Sequence, residues 1–319
     1  RNFSETFTWS SPGFDLNDMG YMKETDYLMN ETEIMYRQTD IWKIFRYNAF
    51  TLSQKNMWNY GGTPFSNNAS LRWQSMTMNR YEWDVKETFA WNWLDSRLLR
   101  GGPDVRFGSY FLTSAKFNTD KAKRMMFMLK YEGDHNFEGN RFNTISPSLT
   151  FRLGNHVYLS GQLDYAWNTD EMQYVATTSP LSSSSLAPYY YVMGHMDQKT
   201  YGLTLKLQVN VTPDISIQFY GAPFTSIAKY DDFKLAADTK SHTFENRFQR
   251  IDPDQLTYAD GVYTIGEGAG QMPFRNPDFR FNEFRSNLVA RWEYLPGSTL
   301  YFVWEHRMSN RDNWYSSGW

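Results

Sequence analysis

From Tyr201 to Tyr220 the chain reads YGLTLKLQVNVTPDISIQFY, and apolar and polar residues alternate through nearly all of it. Tyr201, Leu203, Leu205, Leu207, Val209 and Val211 form one set; Gly202, Thr204, Lys206, Gln208 and Asn210 form the other. Thr212-Pro213-Asp214 breaks the run. Ile215, Ile217 and Phe219 then resume the apolar set against Ser216, Gln218 and Tyr220. A period of two belongs to the β-strand, whose side chains point to opposite faces in turn, so this stretch predicts a hairpin with one apolar and one polar face. An uncharged face of six apolar residues needs a large apolar partner, either a second sheet or lipid.

The same reading predicts about thirteen strands, near 2–10, 21–37, 42–58, 67–79, 82–94, 106–118, 121–133, 138–153, 156–170, 188–211, 214–234, 280–295 and 298–308. Alternation leaves the faces of the first three and of 106–118 unassigned. Every second connection is short and carries Asn, Asp, Gly or Pro, the residues of tight turns: Gln38-Thr39-Asp40, Asn79-Arg80, Asn118-Thr119-Asp120, Leu153-Gly154-Asn155, Thr212-Pro213-Asp214 and Leu295-Pro296-Gly297. Long connections lie between them, notably 94–106, the Ser-rich 177–188 and 234–279. Short turns on one side and long loops on the other predict a transmembrane up-and-down antiparallel β-barrel. A soluble propeller would repeat a motif roughly every 40–50 residues, and none is seen. Rings near the ends of apolar runs, among them Trp91, Trp93, Tyr131, Tyr165, Trp167, Tyr201, Trp292 and Tyr294, suit headgroup-level girdles or ordinary cross-strand packing.

Composition narrows the choice. No apolar run approaches the roughly 18 residues of a membrane helix, and mean hydropathy is −0.65, which leaves barrels open because their strands hide apolar residues at alternate positions. Net charge is −3 from 32 basic and 35 acidic residues, so no overall field points to nucleic acid. Cysteine is absent, which excludes disulfides and thiolate metal sites.

Candidate chemistry is sparse. His135, His156, His195, His242 and His306 lack metal-ligand spacing, and GEGAG (Gly266–Gly270) lacks the Lys-Ser/Thr of a phosphate loop. No catalytic residue, metal or cofactor is expected. His195 with Asp197 on one strand face, Asp134 with His135, and the carboxylate pairs Asp231-Asp232 and Asp252/Asp254 are the groups on which a hydrolase or calcium site would have to rest. The polar faces carry Arg124, Arg152, Asp164, Lys206, Arg285, Arg291 and Glu293, with further charges at Arg72, Asp84, Lys86, Lys130, Glu132 and Glu305. Opposite charges on adjacent strands would form ladders along a wet lumen, tuning solutes or only keeping the interior wet. Loop rings form the binding set: Trp58, Tyr60, Tyr189, Tyr190, Tyr191, Tyr258, Tyr263, Trp314 and Tyr315. Such rings stack on sugars or meet a partner protein.

Five stretches, RWEYLPGSTLYFVW (Arg291–Trp304), NPDFRFNEFRSN (Asn276–Asn287), WSSPGFDLNDMGYM (Trp9–Met22), LLRGGP (Leu98–Pro103) and FYGAPFTSIAKYDDFK (Phe219–Lys234), resemble in order an outer-membrane β-barrel family of unknown function from Bacteroidota. Its members typically join the barrel to an N-terminal module like the family-nine carbohydrate-binding domains, a module without counterpart here. The resemblance implies an outer-membrane location and a link to carbohydrate.

The expectation is therefore an all-β chain forming one barrel domain over 1–319, incomplete at one or both ends, with about fourteen or more strands and a closing strand after Trp319. Its loops would be extracellular and its short turns periplasmic. Its partners would be the bilayer, then carbohydrate or other outer-membrane proteins. Solute passage or capture and a scaffold role stand against a glycan- or envelope-acting hydrolase.

Overall fold

The computed structural model describes residues 1–15, 25–91, 93–154, 156–181 and 188–312. Thirteen long strands dominate it: β1 (Asn2–Ser10), β2 (Tyr27–Gln38), β3 (Phe45–Trp58), β4 (Pro64–Thr77), β5 (Glu82–Trp91), β6 (Tyr110–Asn118), β7 (Met125–Asn136), β8 (Arg141–Leu153), β9 (Val157–Thr178), β10 (Tyr190–Asn210), β11 (Ile215–Ala236), β12 (Phe279–Leu295) and β13 (Ser298–Asp312). Each pairs antiparallel with the next, so order in space equals order along the chain. A short strand, Phe248–Arg250, joins the same sheet beside β11.

The alternation found in the sequence becomes rows across the sheet. Tyr201, Tyr165, Ile145, Tyr131, Ala115, Val85, Trp73, Phe50 and Tyr36 are successive cross-strand partners, nine apolar residues on nine strands. The next row on the opposite face runs Ser146, Lys130, Lys116, Asp84 and Gln74, and Ser146 donates a 2.6 Å hydrogen bond to Asp164. A step of one residue thus exchanges an apolar surface for a charged one, which pins the register of every ladder. Among the described residues nothing covers the apolar face at mid-strand. Leu52 and Leu71 are 53% and 55% exposed, and Leu159 and Leu163 are 42% and 48%. Among the described residues, the main contacts between elements follow the ladder or lie within a cap at one end. Carboxylates on the apolar face are hydrogen-bonded across strands: Glu87 accepts a 2.7 Å bond from Thr113 on β6, and Glu5 on β1 accepts a 3.2 Å bond from Asn30 on β2.

Several expectations need correction. Of the strand expected at 21–37, residues 21–24 lie outside the described residues and β2 begins at Tyr27; Trp42 makes only an isolated bridge to Phe45 across the turn before β3. The segment near 106–118 divides into Val105–Phe107, paired with Trp93–Asp95, and β6. β4 and β7 are displaced by about three residues, and β9 runs on to Thr178. The side opposite the short turns is not uniformly long-looped, since 59–63 and 137–140 are tight. Among the described residues no ladder joins β1 to β13. Odd-numbered strands of an antiparallel meander share one direction, so β1 and β13 could not pair antiparallel with each other. The fourteenth strand of the sheet is Phe248–Arg250, which does not close it. At the β12–β13 turn, Pro296-Gly297 has Gly297 at φ 80°, the left-handed position that a type II turn reserves for glycine.

β9, β10 and β11 outlast their neighbours on the side away from the short turns, and the cap is built there. Adjacent residues Val192 and Met193 enter different cores. Met193 packs with Leu99, Val105, Met172 and Phe248; Val192 packs with Phe233, Ile265 and Phe274. Since neighbours in a strand face opposite ways, connections cover both faces of the extension. The 94–107 and 244–250 segments lie on one face. The small sheet Leu256–Ala259, Val262–Ile265 and Met272–Arg275 lies on the other.

Candidate functional site

Two arrangements of polar groups stand out, one in the cap and one along the charged face. The cap turns on Arg247, 1% exposed, which uses all five N–H donors of its guanidinium. Nε donates to Ser241 O at 2.8 Å; Nη1 donates to Arg106 O at 2.6 Å and Glu138 Oε2 at 3.1 Å; Nη2 donates to Glu138 Oε1 at 2.6 Å and His242 O at 3.2 Å. Glu138 Oε2 also accepts the Gly108 N–H at 3.0 Å. The fork therefore fastens three connections to one another: that before β6, the tip of the β7–β8 hairpin, and that before β12. Gly108 is required by this closeness, because a Cβ there would stand 2.5 Å from the Glu138 carboxyl carbon.

Beside it, a β-bulge rearranges β11. His195 opposes Asp231 and Met193 opposes Lys234, so three steps on β11 face two on β10, and Asp232 takes φ 43°. Lys234 is thereby buried, 3.5 Å from Asp232 and 3.9 Å from Glu171, with its ammonium over the rings of Phe244 and Phe248 at 5.6 and 5.9 Å. His195 lies between two carboxylates: Nδ1 is 3.0 Å from Glu171 and Nε2 is 3.6 Å from Asp197. Burial alone would push this imidazole down, but Glu171, Asp231 and Asp197 outweigh it and hold the pKa above the ordinary value. Both nitrogens face acids, an arrangement that suits a bridging cation. Asp170, on the polar side, has its carboxyl raised chiefly by burial.

The charged face holds the second arrangement. Arg72 grips Asp84 with two bonds of 2.8 and 2.5 Å, a cross-strand pair as expected. Other ion pairs run along single strands, at i and i+2 on one face: Lys130–Glu132 at 2.6 Å, Arg285–Glu283 at 2.9 Å and Arg291–Glu293 at 2.5 Å. Arg307 of β13 reaches the same Glu283 at 2.9 Å. A cavity of about 630 Å³ on this face is lined by Glu31, Lys55, Lys86, Glu132, Asp134 and Tyr110, among others. Another of about 460 Å³ contains Lys206, Tyr158, Gln208 and Tyr220.

Of the charges expected along a lumen, Asp164, Lys206, Arg285, Arg291 and Glu293 lie on the polar face. Arg152 lies at its short-turn rim, donating to Lys121 O at 3.3 Å. Arg124 is a correction: it precedes β7 in the turn, where its carbonyl accepts the Arg152 N–H at 2.7 Å. The rings do not converge. Tyr258 and Tyr263 lie with ring centroids 4.6 Å apart and tilted at 43°, but Tyr263 belongs to the inner core with Phe233 and Phe274. Tyr191 is packed against the Leu99 core, Tyr189 is exposed, and Tyr190 and Trp58 are paired at strand ends. The Tyr60 amide donates to Asp26. Trp314 and Tyr315 lie outside the described residues. Asp252 caps the turn at 253–255 by accepting the Asp254 N–H, and His135 stacks on Phe111 while Asp134 faces the other way. Among the described residues, no three metal-ligating side chains converge. The Arg247–Glu138 and Lys234 contacts had no sequence signal, because their partners lie on separate connections and strands.

Fold and site together define an all-β protein, a single antiparallel meander with one apolar and one charged face and a loop cap fastened at one end. The chain belongs to the family described as a domain of unknown function, DUF5916, whose model matches residues 2–319. No curated protein and no solved structure matches it.

Proposed function

We propose that this chain is the wall of an outer-membrane β-barrel whose charged face borders a passage or binding cavity for a polar solute of carbohydrate type. The observation that carries the reading is the apolar row across nine strands, with no second layer over it among the described residues. Soluble monomers rarely expose contiguous apolar patches beyond a few hundred Å², and this one extends from Tyr36 on β2 to Tyr201 on β10. Its height fits lipid. From Tyr201 to Val211 the strand advances ~34 Å at ~3.4 Å per residue, and a tilt of ~40° reduces that to ~26 Å, the thickness of a barrel's apolar band. Exposed Trp42, Tyr81, Trp83, Trp292 and Tyr294 mark the level of the short turns, and Tyr165, Trp167 and Tyr201 the opposite boundary.

Mixed charge with Tyr110 and Phe142 around the larger cavity offers hydrogen bonds and ring faces together, as sugar hydroxyls and pyranose faces require. The test is reconstitution into phosphatidylcholine vesicles with brominated acyl chains, followed by oligosaccharide efflux. Tryptophan emission falls and sugar escapes if the reading holds. Undimmed emission refutes the membrane wall, and dimming without efflux or sugar binding refutes the solute role.

A further inference from the structure

Directly beyond the Tyr165–Tyr201 ring pair, the apolar face changes character. Lys199 pairs with Trp167 on β9 and with Ile227 on β11, and Lys229 pairs with Asp197. Lys199 and Lys229 are therefore diagonal neighbours on one face, with Cα atoms ~7–8 Å apart, within reach of a single anion for side chains of that length. A cavity of about 510 Å³ opens between them, with Trp167, Tyr201 and Ile227 as its apolar wall. Asp197 lines it too, but its carboxylate accepts a 2.8 Å hydrogen bond from Thr169 and faces His195 Nε2. Lys199 is exposed and has no carboxylate partner among the described residues.

We propose that Lys199 and Lys229, with Trp167 and Tyr201 beneath them, bind the phosphate of a lipid headgroup in the leaflet on the cap side. The proposal rests on the membrane reading above. The position argues for a lipid rather than a soluble anion. The two ammonium groups stand one row beyond the rings that would sit at the interface, and the cavity's apolar wall continues the apolar band, so an acyl chain can follow its own phosphate.

The test compares brominated phosphatidylcholine with brominated phosphatidic acid as quenchers in mixed vesicles, taking the emission lost in Trp167→Phe as the contribution of Trp167. Each lysine near a membrane surface favours an anionic lipid by about fivefold, so phosphatidic acid should be enriched at Trp167 on the order of tenfold or more. Lys199→Gln/Lys229→Gln should return the ratio to that of the bulk lipid while general dimming by phosphatidylcholine stays unchanged. Equal quenching by both lipids overturns the headgroup site and leaves the membrane wall standing. No quenching by either overturns both. Enrichment that survives the double substitution, or that inorganic phosphate abolishes, overturns the assignment to these lysines or to a lipid.

Discussion

Replacing Arg247 by methionine should open the cap and leave the sheet intact. Methionine keeps the side chain's approximate length and removes five N–H donors. Three carbonyls, Ser241 O, Arg106 O and His242 O, lose a partner, and the largely buried Glu138 carboxylate is left with only the Gly108 N–H. Breaking a buried ion pair by deleting one partner costs about 3–5 kcal/mol, mostly because the remaining charge is stranded. At ~1.4 kcal/mol per tenfold, exchange of the amides that the cap protects should accelerate by ~140- to ~3,700-fold. The reporting amides are Gly108 N–H, Arg106 N–H bonded to Thr239 O, and Ala237 N–H bonded to Arg247 O. Hydrogen exchange read by mass spectrometry on peptides covering 104–109 and 236–248 makes the measurement, with β3–β5 peptides as the control. Adding Glu138→Gln should restore part of the protection by removing the stranded charge, giving a coupling of ~0.5–3 kcal/mol between the two sites. Acceleration of only a few-fold, or equal acceleration throughout β3–β5, would falsify the view that Arg247 is the fastener of a separable cap.

Gly108→Ala should act in the same direction, more weakly, because the new Cβ displaces Glu138 from the guanidinium; the 104–109 peptide reports it. His195 should make the cap pH-sensitive. Its folded pKa is raised above 6.5, so the stabilisation it brings is complete below about pH 6.5 and is lost as pH rises through the folded value. Cap exchange should therefore quicken on the alkaline side in the parent chain, and His195→Gln should flatten the profile; an unchanged slope rejects the assignment. Asp170 has the opposite effect, since burial raises its carboxyl above 3.8 and the native state disfavours its ionised form. Asp170→Asn keeps an acceptor for the Met172 N–H and should raise thermal stability at neutral pH. On the strands, Leu205→Arg should cost ~2–4 kcal/mol of folding free energy in bilayers, as a basic residue at mid-band does. Thr204→Arg, one residue away on the polar face, should cost far less, and equal costs in lipid refolding titrations would contradict the assignment of faces.

Period-two patterning was enough to place thirteen strands and both faces of β8 to β12, because alternation is a property of single strands that needs no neighbour. It was also enough for the turns at Thr212-Pro213-Asp214 and Pro296-Gly297, whose residues favour the bend locally. Where local rules weaken, boundaries slipped. The stretch between Trp93 and Tyr110 carries apolar residues without a settled alternation, and its pairing of Trp93–Asp95 with Val105–Phe107 has no period-two signal. Tyr191 and Tyr263 could be read as exposed loop rings, and only packing against Leu99 and Phe233 shows them to be core.

Thus the sequence alone determined the meander, its two chemical surfaces and the side on which the short turns lie, since each follows from contacts within a few residues. Tertiary structure decided the cap: that Arg247 meets Glu138 across 109 positions, that a bulge at Asp232 buries Lys234, and that Lys199 and Lys229 become diagonal neighbours. Those pairings depend on register and on distant connections folding over one end of the sheet. No short-range pattern records either.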